Sequence, residues 1–325
     1  VSPEMKAKGI KLEASVGTAT RYFAFNWLDP VVGGGQIDAA GRERARKLRQ
    51  AISIALDWEE FISIFANGRG IPGQGPIPPG IFGFRTGGDG INPIVYDWAD
   101  AVPRRKSIEA AKKLLAEAGY PDGREAKSGQ PLVLYLDTTD RGPGDKPRLD
   151  WYRKQFAKLD VQLEIRGTDY NRFQEKVRKG AAQIFVWGWN ADYPDPENFL
   201  FLFHGAQSRA KFQGENAANY ANPEYDRLFE QVKHMENGPA RQALIDRMLA
   251  ILREDAPWSF GFHPKDYSLH HDWVANLKPN NMARNGLKYQ KIDAARREDL
   301  RAEWNRPVLW PLVGWRRREQ SKGRA

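Results

Sequence analysis

Two groups of residues in this sequence could do chemistry. The first is Asp192, Asp195, Glu197 and Asn198, which follow the apolar run Gln183 to Trp189. Oxygen ligands at this density can hold a calcium ion, but their spacing is not that of an EF-hand loop and its glycine is missing. On residue type alone, Asp192-Tyr193-Pro194-Asp195-Pro196 reads first as a tight turn, because Asp and Pro favour turns. The second group is His263, His270 and His271 with Asp266 and Asp272. These could bind a metal or act as a general base. No HExxH spacing, phosphate loop or nucleophile elbow accompanies them, so structural or exposed histidines are expected. Gly33-Gly34-Gly35 and Gly87-Gly88-Asp89-Gly90 lack a following helix signature, which argues against phosphate binding. No catalytic residue, metal or cofactor is therefore expected.

The elements that position these residues come from a chain of 325 residues, 41% of them apolar and 11 of them tryptophan. That is enough for one large domain or two ordinary ones. The net charge of +9 would suit nucleic acid, but the 50 basic residues are interleaved with 41 acidic ones, as on a mixed solvated surface. Only Arg316 to Arg318 and Lys322 to Arg324 form a basic tail, a tether, a binding arm or nothing. The absence of cysteine excludes disulfides, thiolate metal sites and cysteine nucleophiles without fixing the compartment. No segment is long and apolar enough to span a bilayer, and Val308 to Trp315 is short and broken by Pro311, so the chain reads as soluble. Val1 to Lys11 has no Met at its start and carries Glu4, Lys6, Lys8 and Lys11, so a processed or truncated start is expected.

Tyr22 to Asn26 reads as a strand. Leu48, Ile52, Ala55 and Leu56 recur at helical spacing, and Asp57 with Glu60 forms a capping box for a second helix, which Asn67-Gly68 stops. Residues 70 to 93, dense in Gly and Pro, predict a long loop. Ser107 caps a helix ended by Gly119. Leu132 to Leu136, Val161 to Ile165 and Gln183 to Trp189 are strands separated by helices around Leu149 to Leu159 and Tyr170 to Val177. This βαβαβ order implies a largely parallel sheet, with the last strand buried on both faces. Asn222-Pro223 starts a helix, a partner helix follows Pro239, and Trp258 to Phe262 is a strand.

Three separated segments carry a family resemblance. Leu48 to Asp57 with Pro78-Pro79-Gly80 is similar to a "VRQAISYAID…PPG" block, and Ala110 to Tyr120 to an "AKKLLAEAGY" segment. Trp187 to Pro196, with Asn219-Tyr220 and Asn222 to Asp226, is similar to "GWxADYPDP…NYxNPEYD". In this order they resemble the C-terminal part of ABC-transporter solute-binding proteins of the oligopeptide, dipeptide and nickel class, over roughly residues 1 to 300. The resemblance implies an α/β, periplasmic-binding-protein-like lobe with a mostly parallel sheet flanked by helices, plus part of a second lobe. Residues 1–35 would be a hinge or lobe-connecting segment, 36–265 the second lobe of a clamp, 266–305 a return segment to the first lobe, and 306–325 a basic tail. The family's opening region is not found, so most of the first lobe is expected to be missing.

By the same resemblance, Asp192 stands at the family's amine-binding aspartate and would meet a ligand's ammonium. Gly188 and Asn190 could offer backbone groups to an extended peptide. Trp187 and Trp189 alternate, and the expectation is that Trp187 is core while Trp189 lines the cleft. Asp195 is read as a turn or cap residue. Six positions before Asp192, where the oligopeptide binder has Arg, stands Val186, which puts carboxylate recognition in question. The implied function is capture of peptides or peptide-like solutes for import, by a periplasmic or membrane-tethered monomer that hands its ligand to a membrane permease and binds no nucleic acid. A sugar, opine or metal chelate is the alternative ligand. The rivals from other classes are a nucleic-acid module and a histidine-dependent hydrolase.

Overall fold

The computed structural model describes residues 1–304 apart from 36–37, 141, 278–281 and 283–284; the basic tail and Val308 to Trp315 lie outside the described residues. In chain order the elements begin with α1 (Pro3–Ala7), β1 (Ile10–Val16), β2 (Ala19–Phe25), α2 (Ala39–Ala55), α3 (Trp58–Phe65), β3 (Gly70–Pro72), β4 (Tyr96–Ala99), β5 (Val102–Arg105) and α4 (Ile108–Glu117). They continue with β6 (Val133–Thr139), α5 (Lys146–Ala157), β7 (Gln162–Thr168), α6 (Tyr170–Arg178), β8 (Ile184–Asn190), α7 (Glu197–Leu200), α8 (Arg209–Phe212), α9 (Pro223–Val232), α10 (Pro239–Asp255), β9 (Trp258–His271) and, after two short strands, α11 (Ala294–Trp304). The chain forms two compact units, Ser15–Asp266 and Val1–Ala14 with Tyr267–Ala325. It passes from one to the other twice, inside β1 and inside β9.

In the larger unit the strand order is β9, β2, β8, β6, β7, with β3 on the far side of β9. The βαβαβ segment gives the parallel part: β6 pairs with both β7 and β8 in parallel. β2 lies antiparallel to β8 and β9, and β3 antiparallel to β9, so the sheet is mixed.

Successive side chains of a strand point to opposite faces. Accordingly Tyr22 and Ala24 enter one core, with helices α6, α9 and α10, while Phe23 and Phe25 enter another, with α2, α3, α4 and α5. Trp258 is fully buried and stacks on Tyr22 at 3.4 Å between ring centroids. Burying a ring of about 200 Å² at about 25 cal/mol per Å² favours folding by roughly 5 kcal/mol before entropy is counted, so such pairs hold β2 and β9 together.

Local signals set the helix ends. Ser107 Oγ accepts from Ala110 N at 3.3 Å, Gly119 takes a φ of +92°, and Asn222 Oδ1 accepts from Glu224 N and Tyr225 N. The capping box at Asp57 is only half formed. Asp57 Oδ1 caps Glu60 N at 2.9 Å, but the Glu60 carboxylate turns to α5 and accepts from Trp151 Nε1 and Gln155 Nε2. The stretch 70–93 is also more than a loop. β3 extends the sheet, and Ile77 and Ile81 are buried in the core beside α10. Arg253 on that helix donates to Gln74 O and Gly90 O and so fastens the segment down.

Candidate functional site

The parallel strands β6, β7 and β8 all end on one side of the larger unit, at Thr139, Thr168 and Asn190. In α/β sheets ligands gather outside the carboxyl ends of the strands. Asp192 stands there, two residues beyond β8.

The backbone of β8 explains what this end offers. In an antiparallel strand the N–H and C=O of one residue point to the same side, and neighbouring residues point to opposite sides. Gln183 O accepts from Asn26 N at 2.9 Å, and Ala191 N donates to Thr18 O at 2.8 Å. The odd-numbered residues of β8 therefore face β2, and Val186, Gly188 and Asn190 present their backbone groups to the opposite edge. On that edge the pairing with β6 stops at Phe185. Among the described residues no strand pairs with β8 beyond it. An open row of donors and acceptors thus leads to Asp192.

Asn198, 2% exposed, fixes the loop that follows. Its Oδ1 accepts from Asp192 N at 2.8 Å and from Trp189 Nε1 at 3.1 Å, while its Nδ2 reaches Asp192 Oδ2 at 3.4 Å. One amide therefore ties the strand end to the aspartate. The Asp192 side chain itself is exposed in the larger unit. Asp195 has a different role: its Oδ1 accepts from Glu197 N at 2.8 Å at the start of α7, and its carboxylate pairs with the buried Arg241 at 2.7 and 2.8 Å. Burial alone would raise the Asp195 carboxyl, but the hydrogen bonds from Arg241 and Glu197 N bring it below its usual value.

Trp187 and Trp189 do not face opposite ways. Two residues apart on a strand, they share a face, and both pack half-buried against the same core. Trp189 meets Phe201 edge-on at 5.4 Å, and Trp187 lies 5.1 Å from Phe173. Gly188 and Asn190 are at the open edge, and Gly188 sits beneath the side chain of Arg21 on β2. Arg21, Asn198 and Arg241 were not picked out from the sequence. For Arg21 the signal was there, since it is the one charged residue in Ala19 to Phe25. Asn219 and Tyr220, part of the third motif, do not line this site but bond at the other end of β2: Asn219 joins Ser208, Ala210 and Asn26, and Tyr220 donates to Asp255 at 2.6 Å.

The histidines do not form one cluster. His270 and His271 belong to the smaller unit, where His270 Nε2 lies 3.8 Å from Glu13 and His271 stacks on Trp273. His263 belongs to the larger unit, is fully buried and meets Ala19 O through Nδ1 at 3.1 Å. Burial pushes it down to about 4. The unfolded chain therefore takes up a proton near pH 6.5 that the fold refuses until about pH 4. His263 stabilises the fold fully above pH 6.5 and progressively less as pH falls through that window, by about 2 kcal/mol at pH 5. His263→Asn should flatten the fall in melting temperature between pH 7 and 5; a profile parallel to wild type would refute this.

A cavity of about 570 Å³ lined by Trp27, Arg46, Asn222 and Asp255 lies elsewhere, at the other end of β2. Its polar groups already serve one another: Arg46 pairs with Glu43, and Asp255 accepts from Tyr220 and Asn222. No helix of the described residues is long and apolar enough to cross a membrane.

Residues 2–211 match the family described as "Bacterial extracellular solute-binding proteins, family 5 Middle". The chain is 29% identical over 224 residues to heme-binding protein A of Haemophilus influenzae, covering 67% of this chain and 37% of that protein. It is 25% identical over 250 residues to di/tripeptide-binding protein 2 of Pseudomonas aeruginosa, covering 76% and 43%. It thus spans less than half the length of these relatives. Among solved structures, HbpA2 from Haemophilus parasuis matches with a TM-score of 0.71 at 20% identity, over 89% of this chain and 51% of that one. The periplasmic binding protein DppA from Helicobacter pylori, in complex with peptide STSA, matches with 0.66 at 21% identity, over 87% and 49%. These structural likenesses establish the periplasmic-binding-protein fold.

Proposed function

Because this chain belongs to family 5 of the bacterial extracellular solute-binding proteins, we propose that it captures peptides or peptide-like solutes for an ABC importer. The observation that carries this reading is the open edge of β8 beside Asp192. An extended peptide added to that edge pairs its main chain with Gly188 and Asn190, which is blind to side-chain identity, and its ammonium meets the Asp192 carboxylate. The accessible part of Trp189 would cover a ligand side chain.

In this reading the larger unit is the second lobe of a clamp, and the smaller unit contributes to the first. The two chain crossings within β1 and β9 serve as its hinge. Ligand stabilises the closed form through its greater affinity for it, and a membrane permease reads that form. The protein works as a monomer on the extracytoplasmic side of the membrane, in the periplasm, and catalyses no reaction.

Titration calorimetry of the full-length protein with a library of short peptides tests this. Free-amine peptides should bind and their N-acetylated forms should bind far more weakly. If no peptide binds in either form, the peptide reading is lost, and sugars, opines and metal chelates become the candidates.

A further inference from the structure

We propose that Arg21 grips the carboxylate of the ligand, which makes the preferred guest a short peptide with both ends free; this rests on the peptide site proposed above. Val186 leaves β8 without a basic side chain of its own at this end. The register supplies one from the neighbouring strand: Phe23 pairs with Val186 and Arg21 with Gly188. Paired residues share a face of the sheet, so Arg21 rises from the surface that carries Val186 and Gly188.

Gly188 makes room for it. A Cβ at this position would lie 2.7 Å from Arg21 Cδ and 2.8 Å from Nη1, so the arginine crosses β8 only because the residue beneath it has no side chain. Its guanidinium then reaches Asn190, with both Nη1 and Nη2 3.1 Å from Oδ1, and Nη1 also donates to Thr20 O at 3.1 Å and lies 3.5 Å from Trp189 O. All of these acceptors are neutral. Among the described residues Arg21 makes no ion pair, and its Nε donates no hydrogen bond.

Burial opposes the charge of this guanidinium, and Asp266 favours it from nearby without an ion pair among the described residues; a carboxylate in contact would do more, since the planar fork matches one in two parallel hydrogen bonds. Asn190 occupies the edge between Nη1 and Nη2, which leaves the edge between Nε and Nη2 for such a partner. The spacing sets the ligand's length. Gly188 and Asn190 precede Asp192 by four and two residues, roughly 7 to 13 Å at about 3.3 Å per residue. A dipeptide or tripeptide at about 3.5 Å per residue spans that interval between its ammonium and its carboxylate.

The test is calorimetry of the full-length protein with one di- or tripeptide as the free acid and as its C-terminal amide. Wild type should prefer the acid by roughly 10- to 100-fold. Arg21→Gln should bring the acid down to the amide, and Arg21→Lys should keep part of the preference. Equal binding of acid and amide by wild type overturns the assignment, and needs no variant to fold. So does an Arg21→Gln variant that loses both ligands equally, because Arg21 then only latches β2 to β8. If free-amine peptides bind without this preference, the peptide function stands and Arg21 falls; if no peptide binds, both fall.

Discussion

Asp192→Ala is expected to weaken the binding of free-amine peptides by about 2–4 kcal/mol, roughly 30- to 1000-fold, while leaving the melting temperature nearly unchanged. The two halves have separate causes. Asp192 is exposed in its own unit and its backbone N–H, not its side chain, makes the shorter contact with Asn198, so the fold loses little. A ligand ammonium brought from water to the strand end loses its hydration, and without a carboxylate nothing replaces it. Asp192→Asn keeps the shape and removes the charge, so it should fall close to the alanine variant. N-acetylated peptides, which carry no ammonium, should bind wild type and both variants alike. If free-amine peptides bind Asp192→Ala as tightly as wild type, the electrostatic role given to this residue is wrong.

Arg241→Ala should destabilise the larger unit by about 3 kcal/mol. Its side chain is 3% exposed, holds Asp195 with two hydrogen bonds and also donates to Asn237 and Val232 O. Removing one member of a buried pair typically costs about 3–5 kcal/mol, because the other charge is left desolvated. Here the lower end applies, since Asp195 is 32% exposed and can recover water. For a unit of this size the melting temperature should drop by roughly 6–12 °C. Ligand affinity should fall too, because Asp195 Oδ1 accepts from Glu197 N at the start of α7, the helix that carries Asn198, and Asn198 sets Asp192. Arg241→Lys keeps the charge without the planar fork and should recover only part of both losses. A loss of stability under about 1 kcal/mol would show that the pair is a surface contact in all but appearance.

The helices of the larger unit were legible because their signals are local. The stripe of Leu48, Ile52 and Ala55 and the caps at Ser107 and Asn222 act through neighbours within one or two turns. The βαβαβ order likewise follows from alternating periodicities, and it led to the parallel pairing of β6 with β7 and β8. The shortest pieces escaped notice. β3 spans three residues, and the hairpin of β4 and β5 has four on each side, too few for a period to show. β1 carries Lys11 and Glu13 in a strand with no fully buried residue, so it lacks an apolar face to announce it.

By itself, then, the sequence determined the longer helices and the strands β2, β6, β7 and β8 of the larger unit, and it pointed to Asp192 at the tip of β8. Only the tertiary structure decided which edges and side chains meet there. Arg21 and Trp189 are 168 residues apart, and Arg241 and Asp195 are 46 apart, so neither meeting leaves a local trace. Strand register, fixed by two cores packing on opposite faces of β2, is what puts a guanidinium over Gly188 and leaves the edge of β8 unpaired. Helical and strand periods are written residue by residue, whereas a register is the outcome of many weak contacts acting at once.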